Sequence, residues 1–457
     1  MAGLNGHGME DDLTVQFKKV DITPGNPVRL AGYFNERLSS GVLDPLYLRL
    51  AAIRKGDGRQ LFIQIDNCAI LAEDVGEIKS EIVRQSSFLS REIMVFASHT
   101  HTGPDVAGFF GLPREVRYLE FLKNRIIGEA LSLKPSKKSL VHWATAQYQG
   151  LAYNRRWHLK SGKVMTNPPK MSPEMVRPEG AVDREVNTVV FTDERGAYQA
   201  FFVNISNHTD TIGGDHISAD WPGFMERFIN QGLGTDVPVF PFIAPQGNVN
   251  HLEFESPRSQ TNYDEAARLG KAYADVVMGS LARLRPVSIK HISSREIVLA
   301  IPSLDVSDGE QEKARQILAG TKSKSLPPNR DLTAEDLAKG DPAIERLFAE
   351  NLLRFTKSKP DLNQVPLQVF DLGKVAFAAI PGEPFVEIGL ALKASREDDL
   401  IVPVALANGY FGYIPLQECF DRGGYEVRAG AACCLAQDAA MRILRTFREL
   451  LKPPPES

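Results

Sequence analysis

Six short apolar runs, each followed by a turn of small or polar residues, constrain the fold of this 457-residue chain more than any other feature. Their length and their content of β-branched and aromatic residues are typical of buried strands. The runs are LFIQID ending at Asp66, IMVFAS before His99, AFFVNIS before Asn207 and His208, VPVFPFIA before PQGNVNH, VAFAAI before Pro381-Gly382-Glu383, and IVPVAL before Ala407-Asn408-Gly409.

Amphipathic helical patterns lie between these runs, after Gly111, after Pro222, from Asp264 and from Phe385. Strands and helices that alternate in this way predict an α/β or mixed α+β fold, with central sheets and flanking helices. In open α/β sheets the functional groups gather beyond the carboxyl ends of the strands. The unusual polar residues of this chain follow its strands, so we expect the active site there.

The chain is long enough for one large domain, and we expect a single catalytic domain over 15–450. One polar, lysine-rich stretch at about 305–360 is predicted to be a small helical insertion, either a wall or a lid over the site. We predict disordered tails at 1–14 and 451–457. The last helix, AAMRILRTFRELL, is expected to dock on the outside of the domain.

Composition excludes several classes of function. The net charge of −4 comes without a basic stripe, which argues against a nucleic-acid partner and leaves a small-molecule substrate. No run of 18 apolar residues exists, so an integral membrane segment is not expected. The N-terminal residues lack the features of a signal peptide, and the four cysteines fit no disulfide or zinc-knuckle spacing, which predicts a cytoplasmic location with free thiols. The oligomeric state is open, a homo-oligomer included.

The segment FASHTHTGPD places His99 and His101 two residues apart directly after a strand. In an extended segment two such side chains point to the same face, so both could bind one metal, or one could bind it while the other acts on the bound water. His208 follows another strand, and Glu383 lies in a tight Pro-Gly turn after a third. Imidazoles and one carboxylate with an open coordination position form the usual catalytic zinc site, which lowers the pKa of bound water to about 7.

Simpler interpretations remain open for each of these residues. An isolated His-x-His is often a hydrogen-bonded turn rather than a metal site, and His208 or Glu383 alone would indicate nothing. Their shared position at strand ends, beside glycine and proline, is what favours a metal. Zinc cannot be told from other divalent ions by imidazole ligands alone.

A set of longer motifs adds a family resemblance. In chain order they are VDITPGNPVRLAGY, GVLDPLYLRLAAI, ASHTHTGPD, YNRRW, NHTDTIGGDHISADWPG, QGNVNH, IPGEPF and NGYFGYIPLQECFDRGGYE. Their order and spacing over about 15–430 resemble the neutral ceramidase family, and more closely its shorter bacterial relatives. The resemblance implies an α/β zinc-amidase domain that cleaves the amide of N-acylsphingosine. In ceramidases a C-terminal β-sandwich domain follows, and this sequence is expected to end where that domain would begin.

The resemblance also implies roles for individual residues. One zinc per chain would be held by His99, His208, Glu383 and Tyr413, the last of these matching the second tyrosine of an Asn-x-Tyr-x-x-Tyr string that begins at Asn408. The other reading of Tyr413 is an aromatic side chain packed beside a turn.

The catalytic groups implied by the resemblance surround this metal. His101 would take the proton from the zinc-bound water and return it to the leaving amine. Arg155 and Tyr425 match positions that stabilise the oxyanion, each donor contributing about 3 kcal/mol. Arg155 could instead form a structural ion pair, and Arg156 beside it makes a shift of one position conceivable.

Departures from the family pattern point to a different substrate. Asn250 stands where ceramidases have a serine in the pocket, and His251 stands in place of a proline. With His216, and with Asn154 and Gly247 of the matched motifs, they form the predicted substrate-binding set. These groups favour a polar substrate over a lipid.

The sequence therefore predicts a zinc-dependent hydrolase of an amide (N-acyl) bond in a small, polar substrate. One alternative keeps the metal but makes the protein a lyase or an ester or lactone hydrolase acting on a sugar derivative. Another is a non-catalytic, zinc-stabilised binding protein. In that case His101→Ala would leave metal and function intact.

Overall fold

The computed structural model describes residues 12–320, 331–396, 398–430 and 432–452. It confirms a mixed α/β fold with central sheets and flanking helices. Three main sheets carry the fold. The first contains Ile93–Ala97, Gly58–Ile65, Tyr47–Lys55, Thr14–Asp21 and Lys137–Lys138 in that order. The second contains Val239–Ile243, Tyr198–Ile205, Glu185–Thr192, Leu140–Gln147 and Arg285–Pro286. The third contains Ser293–Pro302, Leu362–Asp371, Val375–Ala379 and Leu400–Val404.

Each main sheet is antiparallel except for one parallel pair at its edge. The pairs are Gly58–Ile65 with Ile93–Ala97, Tyr198–Ile205 with Val239–Ile243, and Val375–Ala379 with Leu400–Val404. These six strands are the six apolar runs of the sequence. Parallel strands are usually buried on both faces and therefore read as continuous apolar runs, which is why they stand out.

Short strands complete the sheet structure around the loops. Arg156–Leu159 pairs with Val164–Thr166 and with Met175–Pro178 in a three-stranded sheet. The two-stranded bridges are Gly41–Val42 with His216–Ile217, Tyr153–Asn154 with Val249–Asn250, and Glu383–Pro384 with Tyr413–Ile414.

The helices confirm the four predicted amphipathic segments and the predicted last helix, and the structure adds others. Their bounds are Ala72–Gln85, Val116–Leu131, Asp220–Leu233, Tyr263–Ser280, Asp308–Gly320, Ala334–Ala338, Pro342–Ser358, Val386–Lys393, Cys419–Arg422 and Ala439–Leu450. Short 3₁₀ turns cover Ser90–Glu92, Phe109–Gly111, Leu281–Arg283 and Tyr425–Val427. In the described part of the chain no helix combines the length and apolar character that a membrane crossing requires.

The three sheets meet in a core of phenylalanine rings. Phe62 of the first sheet lies 5.2 Å from Phe202 of the second and 5.0 Å from Phe377 of the third, measured between ring centroids. Phe242 of the second sheet lies 5.2 Å from Phe377. Each ring is buried, and full burial of such a side chain contributes about 2 kcal/mol. The edge-to-face contacts therefore fix the three parallel pairs against one another.

The predicted tails fall largely outside the described residues, which exclude 1–11 and 453–457. Where they overlap with the described part, the prediction was wrong: Leu13 is buried, Thr14 begins a strand, and Leu451 is buried beneath the last helix. The polar stretch at 305–360 is helical on both sides of 321–330, and those ten residues also lie outside the description.

Candidate metal centre

Three ligand atoms from three sheets meet at one buried point. His99 follows the first sheet's strand Ile93–Ala97, His208 follows the second sheet's Tyr198–Ile205, and Glu383 follows the third sheet's Val375–Ala379. His99 Nε2, His208 Nε2 and Glu383 Oε2 each lie 3.2 Å from the other two. All three side chains are buried.

Backbone carbonyls set the orientation of both imidazoles. His99 Nδ1 lies 2.9 Å from Cys68 O, and His208 Nδ1 lies 3.1 Å from Val249 O. A carbonyl oxygen only accepts, so each Nδ1 carries the proton and donates. Each Nε2 lone pair is then directed toward the carboxylate, which is the arrangement found in metal-binding histidines.

Glu383 has one satisfied and one unsatisfied oxygen. Its Oε1 accepts a hydrogen bond of 2.9 Å from Tyr410 OH. Its Oε2 is buried and has no hydrogen-bond partner with acceptable geometry in the described part of the chain, although two imidazole nitrogens lie close. Lone pairs that converge without a donor between them fit a cation, and two imidazoles with a carboxylate are a zinc donor set.

The electrostatics of this cluster favour positive charge. Burial alone would raise the pKa of Glu383, but His99 and His208 hold that pKa well below its usual range. Burial lowers the pKa of His99, yet Glu383 and Cys68 raise it well above the ordinary value. The pocket among the three ligand atoms therefore attracts a cation, whether a proton or a metal ion.

A turn, rather than an extended strand, brings His99 and His101 together. The strand ends at Ala97, and His99 has a φ of +65°, in the left-handed region that few non-glycine residues adopt. The prediction that both side chains share one face of an extended segment was therefore wrong in its geometry. The imidazoles nevertheless converge, with His101 Nε2 3.3 Å from His99 Nε2. Left-handed strain of this kind is often found at functional sites.

His101 forms part of the cavity wall beside the cluster. A Cβ atom on Gly32 would lie 2.4 Å from its Cγ, so only glycine allows this close approach. Tyr33 packs edge-on against the ring at 5.9 Å between centroids. Burial and the charge of His99 hold the pKa of His101 well below its ordinary value, so the ring is neutral and has a free lone pair.

Two adjacent arginines share one buried carboxylate but face different surroundings. Arg155 Nη1 lies 3.4 Å from His208 Nε2, and Arg155 Nη2 donates to Gly247 O at 2.7 Å. Arg156 instead pairs with Glu179 at 2.5 Å, and both arginines pair with Glu426. Only Arg155 of the two lines the cavity.

Tyr413 and Tyr425 complete this side of the site. Their hydroxyl groups lie 3.0 Å apart, and the Arg155 guanidinium stands 5.3 Å from each ring centroid. Tyr413 is the Cα partner of Glu383 in the short parallel bridge, which brings its backbone next to the carboxylate. Both rings line the cavity.

The cavity beside the cluster has a volume of about 320 Å³, and its lining includes an apolar, mostly aromatic group and a polar group. We call the first group the apolar wall and the second the polar wall. The apolar wall contains Tyr33, Phe34, Phe109, Phe110 and Leu332, and the polar wall contains Asn167, Lys170, Asp210, His251 and Gln260. Leu252, Phe254 and Pro257 adjoin the polar group in the sequence and also line the cavity.

The predicted substrate residues divide between the cavity and its surroundings. His251 lines the cavity, with Nδ1 3.1 Å from Asp210 Oδ1 and Nε2 2.7 Å from Gln260 O. The other four lie outside the cavity lining. Asn154 donates to Ala181 O, Gly247 O accepts from Arg155, Asn250 donates to Asn167 Oδ1, and His216 is exposed on a separate surface depression beside Asp215.

Sequence reasoning missed several residues of the cavity. Asp210 lies two residues after His208 in NHTDT, and that spacing was an available signal. Tyr410 appeared in the matched string without a role, yet it donates to Glu383. Lys170 and Leu332 come from loops whose sequence carries no such signal.

No protein-family model matches the sequence, and no curated protein matches it. Solved structures do match, and they place the chain in the fold of the ceramidases. One is a ceramidase complexed with C2, with a TM-score of 0.70, 15% identity, and coverage of 98% of this chain and 77% of that one. Another is the neutral ceramidase from Pseudomonas aeruginosa, with a TM-score of 0.69, 15% identity, and coverage of 98% and 76%. The resemblance predicted from the motifs is thus confirmed for the fold.

Proposed function

We propose that the chain is a zinc-dependent hydrolase that cleaves the amide (N-acyl) bond of a small, polar substrate. The observation that carries this proposal is the buried cluster of His99, His208 and Glu383 beside the cavity, with Glu383 Oε2 lacking a hydrogen-bond partner in the described part of the chain. The fold shared with two ceramidase structures supports amide chemistry.

In this proposal one zinc per chain is held by His99, His208 and Glu383, with Tyr413 as the fourth ligand. The short bridge that pairs Tyr413 with Glu383 supports the last assignment. When bound, zinc polarises a carbonyl group and lowers the pKa of water to about 7. Tyr410 supports the site by donating to Glu383 Oε1, which leaves Oε2 directed at the metal position.

His101 acts as the proton carrier. Its ring is neutral and lies beside the ligand atoms, so it accepts a proton from the attacking water and returns it to the leaving amine. Asp210, on the same side, supplies a nearby negative charge that favours the protonated ring during the reaction. The amine half of the substrate must therefore lie on the His101 side of the cavity.

Arg155 and Tyr425 stabilise the oxygen of the substrate carbonyl as it gains negative charge. Arg155 is fixed by Glu426 and by Gly247 O, so it needs no rearrangement when the charge develops. Gly247 thus has a positioning role. Tyr425 is oriented by its hydrogen bond to Tyr413.

The polar wall supports a polar amine half. Lys170 Nζ donates to two uncharged acceptors, Arg258 O at 2.6 Å and Gln260 Oε1 at 2.5 Å, which leaves one N–H available. Asp210 adds a carboxylate to the same wall, and His251 adds an imidazole that lies 3.1 Å from Asp210 Oδ1. Asn154 and Asn250 shape the loops behind this wall, and His216 has no part in the proposal.

The test compares His101→Ala with His216→Ala, a matched change at an exposed histidine outside the cavity. Metal content is measured by plasma mass spectrometry, and turnover is measured on a panel of N-acyl amides. We expect about one zinc per chain in all three proteins. Turnover should fall about 1000-fold in His101→Ala and remain unchanged in His216→Ala.

Three results would contradict the proposal. Wild-type protein that binds no zinc, even when zinc is supplied, removes the mechanism. Full turnover in His101→Ala assigns the proton transfer to another group. A zinc-loaded wild type without turnover on any amide favours the alternative of a lyase or ester hydrolase, which is then tested on lactones and sugar derivatives.

A further inference from the structure

The segment at 331–358 borders the cavity beside Phe34 and contributes Leu332, Thr333 and Glu335 to its lining. It contains Leu332 and the helices Ala334–Ala338 and Pro342–Ser358, and we call it the capping segment. Its side chains share one buried cluster with both tyrosines of the site. The members of this cluster are Phe34, Leu332, Leu337, Ile344, Phe348, Tyr413, Tyr425 and Ala432.

Hydrogen bonds fix the capping segment to the rest of the domain. Phe34 N donates to Leu332 O at 3.1 Å, and Leu332 N donates to Asn35 Oδ1 at 2.9 Å. Asn351 Nδ2 donates to Phe110 O at 2.8 Å. These bonds tie the segment to two loops that line the cavity, so it is a built wall of the site.

Aromatic packing fills the space behind this wall. Phe34 lies 4.7 Å from Phe110 and 5.4 Å from Phe348 between ring centroids. Arg428 stands 4.2 Å above the Phe348 ring and pairs with Glu345 at 2.7 Å. The rings of the apolar wall beside Phe34 are thus themselves supported from behind.

The direction in which a substrate lies follows from the catalytic groups. Tyr425, assigned to the carbonyl oxygen, packs edge-on against Phe34 at 5.9 Å. His101, assigned to the leaving amine, donates through its backbone N–H to Thr209 O at 3.2 Å, next to Asp210, which also lines the cavity. The acyl group therefore extends from the carbonyl toward Phe34 and Leu332, while the amine extends toward Asp210.

We propose that the capping segment limits the substrate to a short acyl group, with Phe34 and Leu332 as the residues that stop the chain. This inference rests on the proposed amide hydrolysis and adds the acyl half of the substrate class. The cavity volume of about 320 Å³ supports it, because ligand pockets range from about 300 to 1,000 Å³ and this one lies near the lower limit. Within the described part of the chain, the ring of Phe348 lies behind Phe34, 5.4 Å away between centroids.

The experiment uses the zinc-loaded full chain and a series of N-acyl derivatives of one amine, from acetyl to dodecanoyl. Hydrolysis is followed for each amide, and binding of the corresponding free carboxylic acids is measured by calorimetry. The variants are Phe34→Ala and Leu332→Ala, which enlarge the cavity. Leu337→Ala is the matched control, because Leu337 is buried in the same cluster but does not line the cavity.

For the wild type we expect both readouts to rise over the short members of the series and then fall sharply. In Phe34→Ala and Leu332→Ala the fall moves to longer chains. Binding of the acid and hydrolysis of the amide each increase about fourfold for every additional methylene group that becomes buried. Leu337→Ala loses stability but keeps the wild-type length limit. If Phe34→Ala fails to fold, Leu332→Ala carries the test.

Three results would overturn the inference: equal use of short and long chains by the wild type, an unchanged limit in folded cavity variants, or no binding of any acid. Failure of the proposed function looks different. Suppose that the wild type hydrolyses no amide but binds the acids with a length limit, and that the variants extend this limit. The amidase assignment is then wrong, whereas the role of the capping segment in limiting chain length stands.

Discussion

Two buried polar clusters of this protein both contain carboxylates and basic side chains, but they differ in how the carboxylate oxygens are paired. In the first, Arg49 and Lys19 face Asp66 and Glu226, and each of the four carboxylate oxygens has a partner, although Arg49 Nε has no hydrogen bond in the described part of the chain. In the second, Glu383 Oε2 faces His99 and His208 without a hydrogen bond in the described part of the chain. Carboxylates that face arginine and lysine form a network that supports the fold, whereas a carboxylate oxygen that faces two imidazole nitrogens fits a site for a cation.

The strongest test of this contrast is Glu383→Gln. Removing the carboxylate should abolish zinc binding, and the loss of metal chemistry worth several kcal/mol should lower turnover by more than about 1000-fold. The metal-free variant should be about as stable as chelator-treated wild type, because the glutamine amide can donate a hydrogen bond to an imidazole Nε2 lone pair. Metal analysis, amide turnover and thermal unfolding measure the three effects. Zinc retained at full occupancy would show that Glu383 is no ligand.

Arg49→Met should lower the stability of the protein and leave its zinc binding unchanged, the opposite of what we expect for Glu383→Gln. It leaves two carboxylates without their shared partner, so we expect a loss of about 3–5 kcal/mol in the free energy of unfolding, measured in urea. Arg54→Met, an exposed change on the same strand Tyr47–Lys55, is the control. Zinc content should stay unchanged in both folded proteins. Equal stability of the two variants would show that the first cluster does not support the fold.

A smaller effect on stability is expected at Asp105. Its buried carboxylate lacks an arginine or lysine partner like those of Asp66 and Glu226 in the described part of the chain. Burial raises the pKa of Asp105 to about 6, although its side chain accepts from three backbone N–H groups of Ala107, Gly108 and Phe109. Arg49 and Lys19, by contrast, hold the pKa of Glu226 below its usual value despite burial.

Because the folded-state pKa of Asp105 is raised, the folded protein binds more protons than the unfolded chain between about pH 4 and 6. Its contribution to stability is complete below about pH 4 and is lost as the pH rises through about 6, by about 3 kcal/mol. The difference in unfolding free energy between wild type and Asp105→Asn should therefore change across this range. A constant difference would contradict the raised pKa.

The strands that could be predicted from the sequence are those whose burial on both faces makes them continuous apolar runs. The six runs were visible because each belongs to a parallel pair buried on both faces. Their arrangement into three sheets was not visible, since pairing depends on contacts between distant segments. The strand Ser293–Pro302 was missed because it is a partly exposed edge strand with a mixed composition.

The site was predictable to the extent that it follows strand ends. His99, His208 and Glu383 could be placed by that rule, and the structure brings their ligand atoms together. Asn250 could not be placed, because in the two-residue strand Val249–Asn250 no periodicity indicates which side chain faces the cavity. The apolar wall was equally hidden, since Leu332 reaches Tyr425 through packing that local sequence does not encode.

The origin of the three ligand atoms in three different sheets has a consequence for the order of assembly. No single sheet contains all three side chains, so the proposed metal ion would find His99, His208 and Glu383 together only after all three sheets have docked through their phenylalanine rings. During synthesis Glu383 emerges last of the three, after the first two sheets have been completed. In the proposed zinc enzyme, metal capture would therefore follow the docking of the sheets.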